Sequence, residues 1–73
     1  MSIARITEIS STSTKSFEDA IQQGISRAVK TLRNVRGAWV KEQQVRVEKG
    51  KICEYQVNLM VTFVLEDGSD KLA

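Results

Sequence analysis

The stretch Ser16-Phe17-Glu18-Asp19-Ala20-Ile21-Gln22-Gln23-Gly24-Ile25-Ser26-Arg27-Ala28-Val29-Lys30-Thr31-Leu32 decides the fold class. Phe17, Ala20, Ile21, Gly24, Ile25, Ala28, Val29 and Leu32 recur at i, i+3, i+4 and i+7, the spacing of one apolar helix face. Gln22, Gln23, Ser26, Arg27, Lys30 and Arg33 fall on the opposite face. Ser16 is placed to cap the first turn, with Asp19 three residues on as its capping-box partner and Glu18 near the positive end of the helix dipole. Gly24 sits inside the apolar stripe, where glycine costs about 1 kcal/mol relative to alanine. A close approach to another element would explain it. The helix is expected to end near Asn34.

Working outward, residues 3–9 mix β-branched and polar side chains and read as a short strand, followed by a Ser/Thr-rich loop from Ser10 to Thr14. Beyond the helix, residues 38–48 read as a second strand and 51–66 as a third. Glu48-Lys49-Gly50-Lys51 forms the hairpin turn between them, with Gly50 available for positive φ. In the third strand Tyr55, Val57, Leu59, Val61, Phe63 and Leu65 alternate with Glu54, Gln56, Asn58, Met60 and Thr62. The second strand breaks its own parity, since Ala38 and Val40 are even while Val45 and Val47 are odd. A bulge between Glu42 and Gln44 would bring all four to one face. From Glu66 to Ala73 the chain turns polar and reads as a frayed tail. The expected architecture is α+β, strand–helix–strand–strand, with one amphipathic helix on a three-stranded antiparallel sheet and a single domain spanning residues 1–73.

A chain of 73 residues is short of core. Domains of this size bury only about 60% of their unfolded surface, and ordering each residue costs about 1.5 kcal/mol. Cys53 is the only cysteine and histidine is missing altogether, so neither an intrachain disulfide nor a structural zinc site is open to it. Self-association is the remaining source of stability. The third strand also outruns one helix, so its polar face must meet water, a ligand or a neighbour, and a neighbour fits best.

The same inventory narrows function. A lack of histidine removes the usual general base near neutral pH. Cys53 shares the parity of Tyr55 and Val57 and reads as a small buried hydrophobe. The four glycines, Gly24, Gly37, Gly50 and Gly68, are isolated and form no phosphate loop. No catalytic residue is assigned and no enzyme is expected. With a net charge of +2, the basic groups from Arg27 to Arg36 read as a solvated face, with an RNA surface as the weaker alternative. No apolar run approaches a membrane span of about 18 residues. The start, Met1-Ser2-Ile3-Ala4-Arg5, lacks a secretion signal, so a cytoplasmic protein is expected.

Trp39 has the parity opposite to Ala38 and Val40, which places it on the face away from the helix, the face Gln56 shares. An indole and a primary amide there suit a flat polar heterocycle, the ring stacking on one and hydrogen-bonding the other. Packing against a neighbouring subunit is the other reading of Trp39, and from the residues alone the favoured one.

Thr31-Leu-Arg-Asn-Val, Trp39-Val-Lys-Glu-Gln and Glu54-Tyr-Gln-Val-Asn-Leu-Met-Val-Thr-Phe, together with the Ser11–Thr14 run and the helix, resemble the dodecin family over residues 3–66. The resemblance implies a hollow homododecamer that binds riboflavin or a related flavin such as FMN between subunits, for storage and sequestration rather than catalysis. It implies that Gln56 hydrogen-bonds the isoalloxazine. The family's stacking tryptophan falls at Gly37 in this chain, and Trp39 stands two residues later on the same face, displaced by about 6–7 Å. The site expected from the resemblance is therefore Gln56, Trp39, Gly37 and Arg36, with Trp39 either walling the pocket or filling it. The Arg36-Gly-Ala-Trp-Val-Lys-Glu-Gln segment also resembles a dodecin branch without the stacking tryptophan. That leaves a flavin-free shell, with cations held by carboxylates such as Glu42 or Glu54, as the alternative.

Overall fold

In the computed structural model, which describes residues 3–65, a strand β1 (Ala4–Ser13) leads into a helix α1 (Phe17–Thr31) and then into a long hairpin, β2 (Val35–Glu48) and β3 (Lys51–Val64). The sheet is antiparallel throughout, in the order β1-β3-β2. The strand–helix–strand–strand α+β architecture is as expected. The polar stretch from Glu66 to Ala73 and the segment Met1-Ser2 lie outside the described residues.

Strand β1 runs well past Ile9. The Ser/Thr run expected as a loop is paired with β3 as far as Ser13 opposite Tyr55. Loop-forming serines are overridden here by a partner strand that offers a full ladder of backbone groups, and Thr12 is itself β-branched. The chain then turns a tight corner. Ser13 is buried, its Oγ donating to Asp19 Oδ2 at 2.6 Å and accepting from the Lys15 N–H at 2.9 Å. Ser16 caps the helix as expected, its Oγ accepting from the Asp19 N–H at 2.9 Å. The capping box does not close, however. The Asp19 carboxylate turns to Ser13 and to Gln23 Nε2, at 2.6 Å each, instead of reaching back to Ser16.

These bonds hold Asp19 below its ordinary pKa, the Ser13 hydroxyl contributing most and the Gln23 amide next. A carboxyl group more acidic in the folded state stabilises the fold at pH above its ordinary value, and the contribution is lost as pH falls through the lowered folded value. Acidification to about pH 3 is therefore expected to lower the melting temperature of the native protein more than that of an Asp19→Asn variant. Equal losses would show that Asp19 has no part in the acid limb.

Helix α1 presses a line of small residues, Ala20, Gly24 and Ala28, onto the sheet, all of them buried. A Cβ on Gly24 would lie 3.0 Å from Leu59 Cδ1 and 3.1 Å from Ser11 Cβ. Glycine in mid-helix is thus explained by the close approach expected of it. Val57, Leu59 and Val61 of β3 are fully buried beneath. Ile9, Phe17, Ile21 and Ile25 pack around them, and Phe17 meets Tyr55 edge-to-face at 5.1 Å. The helix ends earlier than expected, at Thr31 rather than near Asn34. Leu32 is extended, its N–H closing the last turn on Ala28 O, and Asn34 takes φ 58°. Leu32 and Val35 gain core contact by leaving the helix there, and asparagine tolerates the left-handed turn. Strand β2 accordingly begins at Val35 rather than residue 38.

Lys49 and Gly50 both have positive φ, 53° and 74°, and join Glu48 to Lys51 in a two-residue turn of type I′ character. The bulge expected between Glu42 and Gln44 is displaced. Strand β2 instead carries register shifts between Val35 and Gly37 and between Val40 and Glu42, with Arg36 and Lys41 as the extra residues, and a third shift falls between Arg46 and Val47. The Lys41 bulge brings Val45 to the face of Ala38 and Val40, as the parity break required.

The helix packs mainly on β1 and β3 and hardly touches β2. Its 15 residues span about 22 Å, whereas strands of 14 residues span about 46 Å. Beyond Tyr55 the hairpin has no cover on either face, and all of β2 except Val35 is exposed. Val29, on the margin of the apolar helix stripe, is itself 52% exposed and faces the same open groove as Ala38 and Val40. The folded chain is thus left with a bare apolar groove between α1 and β2.

Candidate functional site

Alternation places the residues of β3 that are not under the helix, Glu54, Gln56, Asn58, Met60 and Thr62, on the open face of the sheet. The register turns this face into rows across the three strands. Ile6, Thr62 and Gly37 form one row, then Glu8, Met60 and Trp39, then Ser10, Asn58 and Glu42, then Thr12, Gln56 and Gln44. The first two rows are largely apolar: Ile6 is 51% and Trp39 50% exposed. The last two are polar. An open face divided this way offers van der Waals surface at one end and hydrogen bonds at the other.

Trp39 and Gln56 share the face, as their parities require, but they are not neighbours within one chain. Trp39 lies opposite Met60 and Gln56 opposite Gln44, a separation of four residues along β3, or about 13 Å. Gly37 lies one row further still. A Cβ built on Gly37 meets nothing within 4 Å, so the backbone there stands beside open space. Arg36 is exposed as the extra residue of the first bulge. The four candidate residues therefore form two groups, Arg36-Gly37-Trp39 at the apolar end and Gln56 at the polar end.

Gln56 is held by its neighbours. Its Nε2 donates to Ser10 Oγ at 3.1 Å and to Asn58 Oδ1 at 3.4 Å, and Asn58 Nδ2 donates in turn to Glu42 Oε1 at 3.3 Å. Two exposed ion pairs flank this relay, Lys41 with Glu8 at 3.3 Å and Arg46 with Glu54 at 3.7 Å. Exposed pairs of this kind contribute at most about 1 kcal/mol and position side chains more than they stabilise. The participation of Ser10, Asn58 and Glu42 was not anticipated from the residues. Composition puts Ser10 in a loop, and the pairing of β1 with β3 is what brings it to Gln56.

Glu42 and Glu54, the carboxylates considered for cations, are each already partnered, by Asn58 and Arg46 respectively. Among the described residues no cluster of three or more metal-ligating side chains occurs. Cys53 is partly buried, with its Sγ 3.5 Å from Arg46 O beside the third register shift. No helix among the described residues is long and apolar enough to cross a membrane.

A family model for dodecin matches residues 3–66. The chain is 42% identical over 60 residues to the dodecin of Thermus thermophilus, a match covering 82% of this chain and 87% of the relative. Among solved structures, the dodecin from Streptomyces davaonensis superimposes with a TM-score of 0.85 at 35% identity, over 90% of this chain and 97% of that one. A tryptophan-to-phenylalanine variant of the Thermus thermophilus dodecin gives a TM-score of 0.85 at 37% identity, over 92% and 100% of the two chains. The calcium-chelating immunodominant antigen from Mycobacterium tuberculosis, described as a calcium dodecin with a novel calcium-binding site, gives 0.75 at 32% identity, over 88% and 91%.

Proposed function

The chain belongs to the dodecin family, and on that premise we propose that it is a non-enzymatic cytoplasmic protein that stores and sequesters riboflavin or FMN in a homododecamer. The observation that carries the reading is the divided open face of the sheet. A flavin has a dimethylbenzene edge and a pyrimidine edge of opposite polarity, and this face has an apolar end at Trp39 and Met60 and a polar end at Gln56. The residues fit the group. Gln56 would hold the pyrimidine edge by hydrogen bonds, while Trp39, with the open ground at Gly37 and Arg36, would wall the apolar side. Because Trp39 and Gln56 lie about 13 Å apart in one chain, closing the site around a ring calls for the face of a second subunit. That agrees with the size argument for assembly. A bound flavin is a photosensitiser, and enclosing it against an electron-rich indole quenches its excited state. The protein's part is to bind, orient and exclude.

Two substitutions test the assignment together by quenching of riboflavin fluorescence. Gln56→Ala is expected to weaken binding about tenfold, the loss of roughly 1.4 kcal/mol of hydrogen bonding. Gly37→Trp is expected to tighten it by a similar factor, since the position has room for a side chain and stacking on an aromatic contributes about 1–3 kcal/mol. Unchanged affinity in both variants would remove this face from the site.

The competing reading is a flavin-free shell that holds calcium, motivated by the Mycobacterium tuberculosis relative. Since one chain gathers no three carboxylates among its described residues, such a site would have to draw Glu42 or Glu54 from several subunits. It predicts that EDTA destabilises the assembly and added calcium restores it, with no quenching of riboflavin.

A further inference from the structure

The relay from Glu42 to Gln56 has a direction. A carboxylate only accepts hydrogen bonds, whereas an asparagine or glutamine side chain donates at one end and accepts at the other. Glu42 Oε1 therefore calls for the Nδ2 end of Asn58, at 3.3 Å. That choice turns the Asn58 carbonyl towards Gln56, which must answer with its own Nε2, at 3.4 Å. The second hydrogen of Nε2 goes to Ser10 Oγ at 3.1 Å. Both donors of Gln56 are thereby used within the sheet, and its Oε1 is the group left for a ligand.

Resting on the flavin reading above, we infer that Glu42 is a positioning residue that fixes the Gln56 amide as an acceptor, so that the site selects a ring presenting an N–H donor. In a flavin that donor is the imide N3–H between the two pyrimidine carbonyls. A ring edge made of acceptors alone would meet Oε1 with no proton between them, and a buried pair of that kind costs the full desolvation of both groups. Glu42 touches no ligand in this account. Its carboxylate acts through Asn58 and Gln56, three hydrogen bonds away from the ring.

The test compares riboflavin with N3-methylriboflavin by fluorescence quenching on the intact assembly, in the native protein and in Glu42→Gln. The native protein is expected to favour riboflavin by about tenfold or more, the worth of one hydrogen bond of about 1.4 kcal/mol. In Glu42→Gln the relay can run in either direction, because the new amide can donate to Asn58 as readily as accept from it. The preference for riboflavin is then expected to fall several-fold, although the bulk of the methyl group is unchanged. Equal affinity of the two flavins for the native protein overturns the inference, and so does an undiminished preference in Glu42→Gln. Failure of riboflavin itself to quench on the native assembly is a separate result that removes the flavin reading and this inference with it.

Discussion

Leu59→Ala is expected to leave little folded protein at ordinary temperatures. Leu59 is fully buried between Val57 and Val61, under the point where α1 comes closest to the sheet, with its Cδ1 3.0 Å from where a Gly24 Cβ would stand. Removing a buried leucine side chain costs about 2–5 kcal/mol, the upper part of the range applying where the surroundings cannot collapse into the gap. Collapse is hindered here, because α1 already rests on the small residues Ala20, Gly24 and Ala28 and is fixed at its start by Ser13, Ser16 and Asp19. A single core of this size supplies no more than about 3–5 kcal/mol. Thermal unfolding followed by circular dichroism is expected to show a midpoint lowered by more than about 10 °C, or no cooperative transition at all. Met60→Ala, on the open face, is the control and is expected to cost the fold much less. A Leu59→Ala protein that melts like the native one would contradict the account of the core.

The second large effect is expected at Val40→Asp. Val40 lies on the helix side of β2, opposite Leu59, in the apolar groove that α1 leaves uncovered beside Ile25 and Val29. In the isolated chain it is 38% exposed, so a charge there would be solvated and cheap. In an assembly that covers the groove, the same charge must be desolvated without a partner at a cost of several kcal/mol, repeated at every copy of a symmetric interface. The variant is therefore expected to sediment as chains or small fragments of the assembly, while the native protein sediments as a single large species. Native-like assembly of Val40→Asp would show that the groove is not an interface and would leave its exposed apolar surface without a use.

The fold was legible wherever local chemistry and tertiary demand agree. The apolar stripe of α1, its Ser16 cap, the alternation of β3 and the Lys49-Gly50 turn each have a local physical signature, and each stands where it was expected. Legibility failed where a partner strand overrules local preference. Ser10 to Ser13 resemble a loop in composition, yet they pair with β3 because that strand is long enough to need them. The parity break in β2 announced a bulge without locating it, since a bulged Lys41 carries no mark that distinguishes it from Gln43. The faces of Trp39 and Gln56 followed from parity, but their spacing depends on register, and register accumulates from the turn and from each bulge between. The relay through Ser10, Asn58 and Glu42 was out of reach for the same reason: it joins three strands whose alignment no single segment encodes.

A fluorescence titration of riboflavin against native oligomer at known subunit concentration decides whether the assembled protein binds a flavin. Saturable quenching with an endpoint near one flavin per subunit is expected. An intact oligomer that leaves riboflavin fluorescence unchanged would contradict flavin binding.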